Sequence, residues 1–296
     1  MSVIAVLGLG TMGQGIAVSA AGAGHQVRLF DQPSRQADCV DAVRLRFDRH
    51  STGQPADLRP AADLADAVRP ADLVIEAVPE SPELKRALFS ELHGLVAPDA
   101  VIMTNTSSLL LDELVSAVEF PERFLAAHFF HPAELIPGVE IARTPATDQE
   151  TVDVALAFLR TIAKEPVEVL PQAGFVANRL QIALFLEALA CVAEGVATPA
   201  EIDTIVRTTF GLRLPAYGPF AIADMAGLDV YQSILATLHN QHGERFAPPA
   251  ELTALLEAGR TGLKSGAGFH TYSAERSTTL AAERDDLYRR ILAATA

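Results

Sequence analysis

Cysteine is scarce in this chain. Cys39 and Cys191 lie far apart, with no C-x-x-C spacing and no companion ligands that would read as zinc, so no metal is expected and the setting reads as reduced and cytoplasmic. Positive charge is scarce as well. Lys and Arg total 23 against 37 Asp and Glu, a formal charge of −14 without any basic run, which argues against a nucleic-acid surface. An anionic ligand would have to be held by backbone amides and a few placed groups, because the long-range field repels it. No charged leader followed by a long apolar stretch opens the chain, so export is not expected. The nearest approach to a membrane span, Leu180 to Ala197, is interrupted by Gln181, Glu187 and Glu194 at about two-turn spacing, which form one polar stripe. That segment reads as a buried or interface helix, and no membrane association is expected. No tract is polar or repetitive enough for disorder, and there is no internal repeat.

What the sequence does have is room and rhythm. Its 296 residues, 49% hydrophobic and 20% charged, suit two soluble domains, each able to bury a core. Up to about residue 170, short apolar runs alternate with helical segments: Val3–Leu7, Gln26–Phe30, Leu73–Val78, Val101–Asn105, Phe124–Phe129 and Val167–Leu170. Such a βαβ pattern predicts a parallel sheet covered on both faces. The fold class is α/β, with an N-terminal Rossmann-like doubly wound sheet over residues 1–172 and a C-terminal all-helical domain over 173–296. Pro132, Pro137 and Gly138 break the rhythm and read as a turn, so that 124–129 and 139–142 pair as a hairpin and set His128 near Glu140. After Pro171 helical periodicity predicts helices near 175–195, 199–209, 219–240, 249–259 and 278–293.

The loop VLGLGTMGQGIA at 6–17 follows a strand and opens a helix, the context in which G-x-G-x-x-G carries weight. Gly8 permits the tight turn, Gly10 lets a pyrophosphate approach the backbone, and Gly13 lets helix and strand pack closely. Thr11 and Met12 complete the loop. Asp31 stands 18 residues after Gly13 at the end of the next strand, where a carboxylate accepts both ribose hydroxyls and repels a phosphate. The expected cofactor is therefore NAD. The competing reading of Asp31 is an N-cap for the following helix.

Four polar residues follow in order: Ser107 in NTSSL, His128 in HFF, Glu140 in VEI and Asn178 in GFVANRL. Oxidation of a secondary alcohol needs a base that is neutral near pH 7 beside the nicotinamide, and histidine suits it. A carboxylate on the other ring nitrogen fixes the tautomer and stabilises the imidazolium. His128 and Glu140 fit those roles, with Ser107 and Asn178 holding the reacting oxygen. Taken singly, each has a plainer reading: a core histidine, a solvent-facing strand glutamate, a strand-end cap and a helix-terminal amide. His25, His50, His93 and His239 lack such company and are read as surface residues.

These phrases, with the glycine loop, resemble the L-3-hydroxyacyl-CoA dehydrogenase family over nearly the whole chain. The resemblance implies the catalytic assignments His128, Glu140, Ser107 and Asn178, and a homodimer acting in fatty acid metabolism on a small-molecule substrate, with Ser107 also on the cofactor side. It further implies cofactor contacts from Glu80 and Lys85 in LVIEAVPESPELK, a pair that would otherwise read as solvated, and from Lys264 in KSGAGF. Where the family reads HFFNP this chain reads HFFHP, which puts His131 at the cofactor-side position. Between Asp31 and Glu76 the chain is shorter than acyl-CoA members and lacks their lysines. Arg44, Arg46 and Arg49 are the candidates to replace them, against a plainer reading as a solvated helix face. The phrase ELIPGVEI looks like relatives acting on free hydroxy acids, such as L-gulonate and carnitine dehydrogenases. The expected activity is thus an NAD-dependent 3-hydroxyacyl-CoA dehydrogenase, with a small free 3-hydroxy-acid dehydrogenase as the rival. A third reading is a crystallin-like nucleotide-binding protein without turnover. The 6-phosphogluconate and 3-hydroxyisobutyrate type is disfavoured, because Phe175–Leu189 has no lysine.

Overall fold

The computed structural model describes residues 1–50 and 56–295. In chain order its N-terminal elements are β1 (Val3–Leu7), α1 (Thr11–Gly22), β2 (Gln26–Phe30), α2 (Gln36–His50), β3 (Asp57–Pro60), α3 (Leu64–Val68), β4 (Leu73–Glu76), α4 (Pro82–Glu91), β5 (Val101–Thr104), α5 (Leu111–Val115), β6 (Phe124–Phe129), β7 (Gly138–Arg143), α6 (Gln149–Thr161) and β8 (Glu165–Glu168). The strands form one sheet in the order β3-β2-β1-β4-β5-β6-β7-β8. Neighbours are parallel except β6 and β7, which run antiparallel with His128 opposite Glu140, as the turn residues predict.

Alternation along the strands explains why the sheet needs helices on both faces. Ile4 and Val6 of β1 enter one core, with Ile75, Met103 and Leu125, under α1, α2 and α6. Ala5 and Leu7 enter the other, with Val74, Ile102 and Phe124, under Phe89 and Leu92. Strand order reverses on either side of β1, which opens a crevice above the C-terminal strand ends Leu7, Phe30, Glu76 and Thr104.

Two expectations change here. The short, charged β3 adds an edge strand that the apolar pattern does not reveal. His25, read as a surface residue, is only 6% exposed: its ring accepts from Ser2 N, meets Thr161 Oγ1 at 2.8 Å and packs edge-on against Phe158.

The helical elements are α7 (Ala177–Ala193), α8 (Pro199–Thr208), α9 (Phe210–Arg213), α10 (Pro219–Ala226), α11 (Leu228–His242), α12 (Ala250–Glu257) and α13 (Ala274–Thr295). By contacts the chain divides into compact units Met1–Leu184 and Phe185–Ala296, a division that falls inside α7. Thr198 and Glu201 close a capping box on α8. The helix expected over 219–240 is two helices, because Gly227 at φ +102° turns the backbone out of the helical region. Beneath that break Asp224, 1% exposed, accepts from Phe269 N, His270 N and the Tyr272 hydroxyl and pins the segment after Lys264. Burial and the neighbouring Asp224 push the Tyr272 phenol up to about 12. Among the described residues no helix is long and apolar enough to cross a membrane.

Candidate active site

A cleft of about 1120 Å³ opens within the first unit at the strand ends, slightly larger than the usual range for ligand pockets. Its walls include Gly8, Gly10, Thr11, Met12 and Asp31 at one end, with Glu80, Ser107, His128, His131 and Asn178 also lining it. Of the residues expected from sequence, Gly13, Lys85 and Glu140 lie behind the walls. Lys264 belongs to the second unit, where both oxygens of Asp229 accept from it at 2.6 Å.

The glycine loop is shaped as its motif requires. Gly8 has φ +90°, and a Cβ there would come within 2.7 Å of the Ala77–Val78 peptide. At Gly13 it would overlap Gly8 O. Gly10 is different: nothing lies within 4 Å of where its Cβ would be, and as N-cap of α1 it offers no side chain to the first helical amides. Those amides have no intrahelical acceptor, and the helix dipole adds to their pull on an anion, so the loop fits a dinucleotide pyrophosphate. Asp31, 6% exposed, does not cap α2, which begins five residues later. Its Oδ2 accepts from Leu9 N and its Oδ1 from Gln32 N, both at 2.7 Å, tying the acidic side chain to the glycine loop. Gln36, which sequence reading passes over, holds Asp31 N from the other side at 2.5 Å.

His128 and Glu140 meet by register. Their strands pair them directly, and His128 Nδ1 lies 2.9 Å from Glu140 Oε2, with both residues buried. The other oxygen of Glu140 accepts from Val176 N and Ala177 N, each at 2.9 Å, at the start of α7. Gly174 at φ +74° and Phe175 at φ +47° swing those amides into place, and a left-handed phenylalanine is a strained conformation held here by burial. The start of a helix thus fixes the carboxyl group in place, and the carboxyl group orients the ring. Phe175 stacks on the imidazole with centroids 5.4 Å apart, and Phe130 lies at 4.4 Å. With Nδ1 engaged, Nε2 is the nitrogen free to act as base.

Ser107 and Asn178 are coupled, since Asn178 Nδ2 donates to Ser107 O at 3.2 Å. Glu80 is the anchor of this turn. Its Oε1 accepts from Thr106 Oγ1, from the amides of Ser107 and Ser108 and from both serine hydroxyls, at 2.6 to 3.2 Å. Burial opposes ionisation, but these donors and Lys85 carry the Glu80 carboxyl down to about 2. The sign is that of a depressed carboxyl: its contribution to stability is present above the ordinary carboxylate range and is lost as pH falls toward about 2. Glu80→Gln offers a weaker, neutral acceptor to the same donors. It is expected to lower kcat/KM by about tenfold through a loosened Ser107 turn, a loss of charge-assisted hydrogen bonding that steady-state assays at neutral pH would detect.

Behind this wall Lys85 is fully buried, its Nζ donating to Glu76 Oε1 at 2.7 Å and Val78 O at 3.3 Å and standing 3.4 Å from Glu80 Oε2. Glu76, equally buried and missed from sequence, also accepts from Thr104 Oγ1 at 2.6 Å and Val78 N at 2.7 Å. Asn105 was missed too: its Oδ1 accepts from Phe129 N at 2.9 Å and fixes the strand end that carries His128. Of the three α2 arginines named as candidates to replace the missing lysines, two have acidic partners. Arg46 is bound to Glu134 at 2.7 and 2.8 Å, and Arg44 pairs with Asp41 at 3.3 Å.

Comparison with known proteins identifies the family. Residues 3–172 match the model for the 3-hydroxyacyl-CoA dehydrogenase NAD-binding domain, and residues 174–272 match that for the C-terminal domain of the same enzymes. The chain is 33% identical over 290 residues to 5-formyl-3-hydroxy-2-methylpyridine 4-carboxylate 5-dehydrogenase of Mesorhizobium japonicum, covering 95% of this chain and 94% of that one. It is 32% identical over 284 residues to 3-hydroxybutyryl-CoA dehydrogenase of Clostridioides difficile, covering 91% and 99%. Among solved structures, a 3-hydroxyacyl-CoA dehydrogenase of Archaeoglobus fulgidus superposes with a TM-score of 0.84 at 28% identity, over 99% of this chain and 98% of the other. Fold, cofactor loop and matched domains together make the chain an NAD-dependent oxidoreductase that belongs to the 3-hydroxyacyl-CoA dehydrogenase family.

Proposed function

We propose that the chain oxidises the 3-hydroxyl of a 3-hydroxyacyl thioester to the 3-oxo product, with His128 as the base. The observation that carries this reading is the buried His128 Nδ1 to Glu140 Oε2 contact of 2.9 Å, with the free edge of the ring at a cleft shared with Ser107 and Asn178. His128 Nε2 takes the hydroxyl proton as the C–O bond becomes a carbonyl, and Glu140 stabilises the imidazolium so formed. Ser107 and Asn178 hold the oxygen against the ring. NAD, when bound, accepts the hydride that leaves the same carbon. We assign Gly8, Gly10, Thr11, Met12, Gly13, Asp31, Ser107 and His131 to the cofactor side, with Glu80 and Lys85 ordering it, and extend the assignment to Lys264 on the strength of its phrase KSGAGF.

A second reading, a small free acid as substrate, is favoured by the commitment of Arg46 to Glu134 and by the Mesorhizobium relative, whose name specifies a free carboxylate. Initial rates of NADH oxidation with acetoacetyl-CoA, beside free acetoacetate and other small 3-oxo acids, separate the two. Turnover of the thioester supports the first; turnover of free acids alone moves the protein to the second.

We also assign the protein to the cytoplasm, from its two free thiols, and to a homodimer. Helix α7 supports the dimer: none of its residues is buried, and Leu180, Phe185 and Leu186 are each more than half exposed. A monomeric mass by light scattering at micromolar concentration would contradict it.

A further inference from the structure

The glycine loop contains one glycine beyond the three that its motif explains. A Cβ on Gly15 would lie 2.6 Å from Glu134 Oε2 and 3.0 Å from Ala133 Cβ, so this turn of α1 is bare because another segment lies against it. That segment is the connection between β6 and β7, which carries His131 and Ile136 on the cleft wall. Its acidic residue is deeply set. The Glu134 side chain is 5% exposed, and although burial opposes its charge, Arg46 holds its carboxyl below the usual range.

Three contacts define what Arg46 does. Its Nε and Nη2 grip the two oxygens of Glu134 at 2.7 and 2.8 Å, a bidentate fork that fixes orientation as well as distance. Its Nη1 donates to Thr11 O at 3.0 Å, at the first residue of α1. Lys164, buried below, donates to Ala133 O and Ile136 O and holds the same segment from its other side. His50 Nε2 adds a longer approach to Glu134 at 3.7 Å. One guanidinium therefore ties the start of the phosphate-facing helix to the loop that carries His131 and Ile136 on the cleft wall.

We propose that Arg46 and Glu134 are positioning residues for the cofactor: the pair sets the spacing between the α1 N-terminus and the His131–Ile136 wall, and thereby the affinity for the dinucleotide. The proposal rests on cofactor seating over Gly8–Gly13 and is independent of which substrate is oxidised.

The test separates positioning from stability by measuring both on each variant: NADH affinity by fluorescence titration and Tm by thermal unfolding. Arg46→Lys keeps a positive charge opposite Glu134 but lacks a second arm for Thr11. Arg46→Met/Glu134→Leu removes both charges together and leaves no buried carboxylate unpaired. Both variants are expected to keep a Tm near the parent's while binding NADH about tenfold more weakly, the scale of one lost charge-assisted hydrogen bond. The KM for NADH is expected to rise by the same factor, with kcat at saturating NADH changed far less. Parental NADH affinity in either well-folded variant would overturn the proposal and reduce the pair to a support of the fold. A Tm that collapses in both variants would overturn it too, because the pair's role would then be stability. Since NADH binding needs no substrate, failure here is distinguishable from failure of the proposed reaction.

Discussion

His128→Ala is expected to lower kcat by about a thousandfold, within the usual range for loss of a general base, while NADH binds with nearly parental affinity. The split follows from the geometry. His128 engages Glu140 through Nδ1 and lines the cleft, but it makes none of the bonds that shape the glycine loop or Asp31. Glu140 keeps its two amide donors, Val176 and Ala177, in the variant, so the site should remain folded around a missing ring. Added imidazole should then restore part of the rate. His131 supplies the control, since it lines the same cleft and sits three residues along the chain. His131→Ala should shift the KM for NADH more than kcat. If His128→Ala kept most of its turnover and His131→Ala lost it, the base would be His131 and the role of the strand pair would need reassignment.

What made this site legible in the sequence was local. The turn residues Pro132, Pro137 and Gly138 separate two strands that must then pair as a hairpin, which brings His128 near Glu140; the strands do pair, with the two residues directly opposite. The glycine spacing likewise determines a turn whose geometry has few solutions. What was not legible depends on partners distant in the chain. His25 looks like a surface histidine until Thr161 and Phe158 arrive from α6. Arg46 looks like one of several arginines on a polar helix face, and only the fold brings Glu134, 88 residues later, within its reach. The break at Gly227 is a different failure: a glycine inside a helical pattern is usually tolerated, and only its positive φ shows that the chain turns there. Glu80 and Lys85 show the same limit from the other side. Their phrase marks them as cofactor contacts, but it does not reveal that Glu80, on the cleft wall, also anchors the Ser107 turn or that Lys85 is buried against Glu76.

That buried pair gives the largest expected effect on stability. Lys85→Met should destabilise the protein by about 3–5 kcal/mol, the cost of leaving one member of a buried ion pair without its partner. Glu76 is the member left behind, at 0% exposure beneath the cleft floor. Burial already pushes its carboxyl above the usual range, against the opposing pull of Lys85, Thr104 and the Val78 amide. Without Lys85 the carboxyl rises further. A group whose folded pKa is raised holds more protons folded than unfolded between the ordinary carboxylate range and its folded value, so stability falls as pH rises through that window. The deficit of the variant should therefore be largest near neutral pH and shrink in mild acid, where Glu76 folds as the neutral acid and can donate a hydrogen bond. Urea unfolding at the two pH values measures this directly. Lys85→Met/Glu76→Gln, which removes the stranded charge but keeps an acceptor for Thr104, should recover most of the loss and flatten the pH dependence. An equal deficit at both pH values would mean that the lysine stem, packed at the base of α4, contributes the stability and that its charge does not.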